Sequence, residues 1–406
     1  MIDNKRKKEN ILMIILALMS FAIGIWENYR QLWLESIGFD IVNISRIYSI
    51  ALICSSIISF VISIFSSKIK IKNIIIMSTI FRIISLMVLL FVKDVFIIKI
   101  SFLLCIMSDI IFSISFYPLL TYVSKTEESF KRKTLIEYFA RDIGIVACGL
   151  LIGVYIGKYC FSYTTCLIIS LTVSVLALVL LIAFKSNERH KNHNVIDSLK
   201  VLLKNKINRV FLINQIIIKI SYGVIFSLLM LIIVNYIEFD VSVASVYIIV
   251  CNVIGSFLAL IFSRISKNFT IGKSALIKFG TRITFYLLAF LFHNKLFFLL
   301  ALTIGNVTSR MLEEKITAPF LEKIKPDDQF LFSNLRYFTL CVGEGIGAFL
   351  SGVLIIYSLK YLFLGGILFT IIQIIIYFYM GRLLIKKNSW FFHKYIVLLI
   401  GSLFLV

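Results

Sequence analysis

The sequence predicts an all-α integral membrane protein whose twelve transmembrane helices form two pseudo-symmetric six-helix bundles. Three observations carry this reading. Of 406 residues, 60% are apolar in the broad sense and 16% are charged, against roughly 45–50% and about 25% in soluble domains. The apolar residues gather into runs of about 20, the length that crosses a bilayer core as a helix. The two halves of the chain also resemble each other at a nearly constant offset.

Taken in order, the first span is 11–35; it is long and lacks a small-residue cleavage site, so it is expected to stay in the protein. It closes on "GIWENYRQLWL", where a carboxylate and a guanidinium interrupt the apolar pattern. The second span, 44–66, and the third, 73–93, flank the basic turn "SSKIKIKN". The fourth, 96–122, ends near Pro118, the fifth, 138–157, is glycine-rich, and the sixth, 162–184, runs into a polar break from Lys185 to Arg209. Six more follow at 210–236, 243–265, 275–293, 296–321, 334–357 and 361–384. The expected organisation is therefore an N-terminal bundle, 1–187, a central loop, 188–209, a C-terminal bundle, 210–387, and an apolar tail, 388–406. The tail is either interfacial or a thirteenth span.

The net charge of +21 sits in short clusters between the apolar runs, which points to orientation in a membrane and away from nucleic acid. Alternate loops, beginning with Lys5, Arg6, Lys7 and Lys8, collect about 30 of the 42 Lys and Arg, and the opposite loops about six. Both termini are therefore expected in the cytoplasm, the chain lying in the cell (inner) membrane. "VIDSLKVLLKNK", 195–206, has helical apolar spacing with lysines on its other face and is expected to lie along the cytoplasmic surface. Seven cysteines, mostly inside apolar runs and with no C-x-x-C pair, read as packing residues, and the four histidines form no ligand set. No metal or other cofactor is implied, and the absence of G-x-x-x-x-G-K-S/T excludes a P-loop.

The repeat is visible residue by residue. Phe39 and Asp40 return as Phe239 and Asp240, Tyr48 as Tyr247, Arg82 and Ile83 as Arg282 and Ile283, and Pro118 as Pro319. "YFARDIGIVACGLLIGV" from 138 aligns with "YFTLCVGEGIGAFLSGV" from 337. Offsets between 199 and 201 relate two halves of the same orientation by an axis along the membrane normal. With the basic central loop and the turn "EESFKRKT" leading into a glycine-rich fifth helix, the chain resembles a major facilitator superfamily (MFS) transporter from Ile11 to about Lys387. It departs from that family's G-x-x-x-D-R-x-G-R-R pattern between spans two and three, keeping the basic charge alone, and it lacks the Gly-Pro pair of drug and proton antiporters.

The resemblance implies secondary active transport of a small organic solute by alternating access, by a monomer and not by an enzyme; coupling to protons is expected because no Na⁺ cage can be read from the sequence. A solute sensor on a transporter scaffold and a membrane-embedded lipid-modifying enzyme are the alternatives. Ionisable groups inside spans cost roughly 2.5–3.5 kcal/mol each on insertion scales, so they are expected to face a cavity or a partner. In the family, spans 1, 4, 7 and 10 line the cavity, and most such groups here lie on those spans. Candidates for substrate or proton handling are Glu27, Asn28, Arg30, Asp109, Asn214, Gln215, Lys219, Tyr222 and Arg310. Glu27 and Arg30, three apart on one face, are either a proton or substrate site or a static pair. Asp109 either neutralises Arg82 or titrates; Arg310, at its repeat-equivalent position, either completes an asymmetric pair suited to an anionic or zwitterionic solute or pairs with Glu313 or Glu314. Lys219 is either a substrate contact or a snorkelling lysine.

Arg82 and Arg282, on spans the family places at the periphery, are expected to point inward and pair. Arg141, Asp142 and Glu344 are expected to open the glycine-rich helices on the cytoplasmic side as a gating network. Gly144, Gly149 and Gly153, with Gly343 and Gly347, are expected to allow close backbone approach where the halves rock.

Overall fold

The computed structural model describes residues 2–27, 29–65, 70–123, 163–184, 195–265, 269, 271–292, 294–310 and 326–384. Asn28, the fifth span with Arg141, Asp142, Gly144, Gly149 and Gly153, the pair Glu313 and Glu314, and the tail 388–406 lie outside them. Every regular element among the described residues is helical. The first span is α1 (Ile2–Glu27) followed by α2 (Arg30–Ser36), and α3 (Ile41–Phe65), α4 (Ile71–Phe91), α5 (Val95–Val123) and α6 (Tyr163–Ala183) complete the described N-terminal half. After the short α7 (Val195–Lys204) come α8 (Lys206–Phe226), α9 (Val241–Ile265), α10 (Ile271–Phe292), α11 (Lys295–Arg310), α12 (Pro326–Tyr357) and α13 (Leu359–Leu384). Among the described residues nine helices are long and apolar enough to cross a membrane, and shorter apolar helices, Val241–Gly255 and Lys295–Ser309, stand where the eighth and tenth spans are expected.

The packing is that of a bilayer protein. On α4 the outward positions Met77, Phe81, Ile84 and Met87 are exposed and apolar, whereas the inward face buries Ser78, Thr79, Arg82 and Ser85 among Ile75, Leu86 and Leu89. A helix apolar all round, with its polar groups turned inward, is stable only where lipid covers the outside. Several buried hydroxyls are satisfied within their own helices, as Ser78 and Thr79 donate to the Ile75 carbonyl and Ser174 to that of Ser170.

The duplication reaches into the turns. Gly38 and Glu238, 200 residues apart, both take positive φ, 98° and 62°. Gly38 ends α2 as a left-handed cap, with its N–H on the Glu35 carbonyl and that of Phe39 on the Leu34 carbonyl. Glu238 bears the same conformation with a side chain that hydrogen-bonds Lys295 at 2.6 Å. That bond and the ammonium charge hold the Glu238 carboxyl below the usual carboxylate range, so what little this exposed pair contributes is present at neutral pH and fades as acid titrates it. Asp94 and Asn294 then cap α5 and α11 in the same way, their side-chain oxygens accepting the N–H of Phe96 and of Leu296.

The halves meet along α12, which packs on α8 of its own half and on α3 of the other. Glycine makes this approach possible. A Cβ on Gly347 would lie 2.6 Å from the Ile220 carbonyl oxygen and 2.8 Å from Gly223 Cα, and one on Gly343 would strike the Ile216 carbonyl. Since the obstacles are backbone, Gly347→Ala is expected to cost about 1–3 kcal/mol in thermal or detergent unfolding of the purified protein. Unchanged stability would show that the α8–α12 seam has slack. The short α7 is tied down by Asn208, whose amide donates to the Leu202 carbonyl at 3.1 Å, and Asn205 caps α8 through the N–H of Ile207.

Candidate functional site

Two spans break at equivalent heights. The first is interrupted between Glu27 and Arg30, where the Tyr29 N–H bonds to the Trp26 carbonyl three residues back. The seventh is interrupted after Phe226: Leu228 leaves helical geometry (φ −114°, ψ 24°), and the chain continues through Leu229–Leu231 into a π-helical turn, Ile232–Tyr236. The two breaks thus fall about 200 residues apart, one after Glu27 and the other after Phe226. A break in a membrane helix leaves backbone groups that must find partners inside the protein. Here the Ser227 carbonyl accepts the amide of Gln31 from α2. Tyr29 Oη and Ser245 Oγ share a hydrogen bond at 3.0 Å, and Asn235 donates to Glu35. These contacts fasten the halves together at the end of the bundle that carries α2.

Two ion pairs lie between the halves, one at the first break and one on the seventh span, nine residues before Leu228. In the N-terminal half Glu27 Oε1 stands 3.6 Å from Arg30, whose guanidinium donates to Tyr48 Oη and lies 4.6 Å from the centroid of its ring. In the C-terminal half Lys219 Nζ is 2.9 Å from Glu344 Oε2 and 4.6 Å from the Tyr222 ring centroid. Glu344, Glu27, Arg30 and Tyr222 all act electrostatically on Tyr48, so the two pairs share one neighbourhood between α1, α3, α8 and α12. The side chains of Glu27, Lys219 and Glu344 are 33%, 29% and 21% accessible. Charges inside a membrane span turn toward a partner or a water-filled cavity, and each of these has its partner.

A third pair is built differently. Arg82 is 1% exposed and forms an ion pair with Asp109. Its remaining donors reach the Ala22 carbonyl at 2.9 Å, Ser170 Oγ at 2.9 Å and Ser174 Oγ at 3.2 Å. One guanidinium therefore joins α1, α4, α5 and α6, the geometry of a structural tie. Its repeat partner Arg282 is also buried but donates to Thr308 Oγ1 at 2.9 Å, with no carboxylate beside it among the described residues.

The remaining candidates are dispersed. Asn214 is fully buried, with both amide atoms lacking a hydrogen-bond partner, and Gln215 accepts from Arg336 at 3.5 Å. Arg310 closes α11, and its side chain lies outside the described residues. One expectation is corrected. Glu344 does not open a helix at the mouth of the bundle; α12 begins at Pro326, and Glu344 lies ten residues inside the span Asn334–Tyr357, about 15 Å from its start. Lys219 is not a snorkelling lysine, because its ammonium meets Glu344 within the bundle. Tyr48, Gln31, Ser170, Ser174 and Ser227 are not among the sequence-based candidates. Only the recurrence of Tyr48 as Tyr247 marks any of them in advance. Among the described residues no three His, Cys, Asp or Glu come together as metal ligands.

The comparisons agree with this architecture. The family model described as the MFS_1 like family matches residues 10–365. No curated relative matches the sequence. Among solved structures, the nucleoside transporter NupG superposes with a TM-score of 0.69 at 14% identity, covering 94% of this chain and 100% of its own. A bacterial homologue of the human lysosomal transporter Spinster, inward-facing and unoccupied, gives a TM-score of 0.72 at 11% identity over 93% and 97% of the two chains. A POT family transporter in complex with 5-aminolevulinic acid gives 0.68 at 12% identity over 91% and 94%. At such identities the likeness is one of fold.

Proposed function

The chain belongs to the MFS_1 like family, and from that premise we propose that this multi-pass, MFS-type membrane transporter is a proton-coupled carrier of a small polar organic solute working by alternating access. The observation that carries the reading is the meeting of two ion pairs, Glu27–Arg30 and Lys219–Glu344, in one neighbourhood between the halves, the first at the interruption of the first span and the second on the seventh span some two turns before its own interruption. Interrupted helices in corresponding positions of two repeats, near mid-membrane, are where carriers gather substrate and coupling ions. The halves 1–187 and 210–387 rock as two bodies about that point, joined by the loop 188–209. The excess of Lys and Arg in alternate loops supports cytoplasmic termini in the cell membrane, which puts the α2 end outside. The contacts Gln31–Ser227, Tyr29–Ser245 and Glu35–Asn235 then close the outer side and leave the opposite side to open.

Glu27 is the coupling candidate. Its carboxylate is a third accessible and stands 3.6 Å from its cation, beyond hydrogen-bond length. Asp109, locked to Arg82, is assigned to structure instead. The test is reconstitution into liposomes of the purified protein with solutes chosen by a thermal-shift screen of metabolites. Uptake or extrusion driven by an imposed pH gradient supports the carrier. Binding without flux assigns the protein to sensing.

A further inference from the structure

Building on the carrier reading, we propose that the solute is a zwitterion that bridges the halves, its carboxylate on Arg30 and its ammonium on Glu344. The central cluster holds two cations and two carboxylates, one of each per half. A zwitterion that opens both pairs gives Arg30 and Glu344 new partners of the sign each loses and releases one anion, Glu27, and one cation, Lys219, so the net charge of the cluster is unchanged. A monoanion or monocation leaves one charge uncompensated, which is costly away from bulk water. An uncharged solute leaves both pairs closed and has nothing to hold it in one state over another.

The details set the direction of binding. Arg30 is 5% exposed, and its Nε, buried, has no hydrogen-bond partner, while the adjoining Glu27 sits at 3.6 Å. A guanidinium with an unused edge is built to take a carboxylate in a forked pair. Glu344 offers a carboxylate that is 21% accessible and held by a single lysine contact, with the Tyr222 face beside that lysine ready to keep it once the carboxylate turns to a new cation. Because Arg30 belongs to α2 and Glu344 to α12, one solute then ties the two halves.

The probes are unbranched ω-amino acids of two to six carbons, with the alkylamines, carboxylates and diols of matching length. They are added to the full-length purified protein while its unfolding temperature is followed. At least one ω-amino acid is expected to raise that temperature by several degrees or so, saturably, while its singly charged and uncharged counterparts do not. The exchange Lys219→Glu with Glu344→Lys preserves an ion pair, so a merely structural role predicts unchanged binding; the proposal predicts at least about a tenfold loss of affinity. Should that variant not fold, Arg30→Lys keeps the charge but removes the fork and is expected to weaken the same ligand. Equal stabilisation by diols or single ions, or undiminished binding in the swapped variant, overturns the proposal. Flux of a neutral solute with no response to any ω-amino acid also overturns it while leaving the carrier intact. Stabilisation by an ω-amino acid without flux of any solute has the opposite meaning: zwitterion recognition stands and the carrier falls.

Discussion

Arg82→Ala is expected to leave little folded protein. The substitution strands Asp109 as a buried carboxylate and removes the donors that hold the Ala22 carbonyl, Ser170 and Ser174. Breaking a buried pair by deleting one partner costs about 3–5 kcal/mol, a large share of the roughly 5–15 kcal/mol by which whole domains are stable. Recovery of monodisperse protein by size-exclusion chromatography and unfolding in graded detergent measure the effect. Arg82→Met combined with Asp109→Leu is expected to recover most of the loss, since apolar residues of similar volume often replace a buried pair at little cost. The double variant also separates structure from coupling. Retained pH-driven transport places Asp109 outside proton handling; a folded but uncoupled double variant would move the coupling carboxylate from Glu27 to Asp109.

Glu27→Gln has the second large effect. Glutamine keeps the size and acceptor of the side chain, and Arg30 retains Tyr48, so the fold is expected to survive. What is lost is a group that can take and release a proton as the cavity faces each side. Accumulation driven by a pH gradient is expected to fall by roughly tenfold or more, while solute exchange without a gradient continues. Transport that is unchanged from about pH 5 to 8 would remove Glu27 from the mechanism.

The fold was legible because lipid imposes a simple demand: long apolar runs with their polar groups turned inward. The two-half organisation was legible because Phe39–Asp40, Arg82 and Pro118 recur about 200 residues on, and the backbone adds Gly38 with Glu238 and Asp94 with Asn294. The site was legible in part. Glu27, Arg30 and Lys219 stand out as charges in apolar surroundings, which single-sequence reading detects well. The end of α1 at Glu27 was not legible, because neither proline nor glycine marks it and the Ser227 carbonyl that Gln31 reaches is nearly 200 residues away. The Lys219–Glu344 pair spans 125 residues and leaves no local spacing to detect. Alignment of the eleventh span with the fifth drew Glu344 toward the helix mouth, whereas ten residues of the span Asn334–Tyr357 precede it. Arg82 and Asp109 left pairing and titration equally open until Ser170, Ser174 and the Ala22 carbonyl were seen to complete the guanidinium.

The account rests on water reaching the Glu27–Arg30 and Lys219–Glu344 pairs from one side of the membrane at a time. Single cysteines at 27 and at 222, in a background with the native cysteines replaced, can be challenged with a membrane-impermeant thiol reagent from either face of sealed vesicles. Reaction from one face, moving to the other when solute is applied, is the predicted result. Cysteines that resist the impermeant reagent from both faces yet react with a lipid-soluble maleimide would contradict it, because the charges would then face acyl chains and no aqueous path would join the halves.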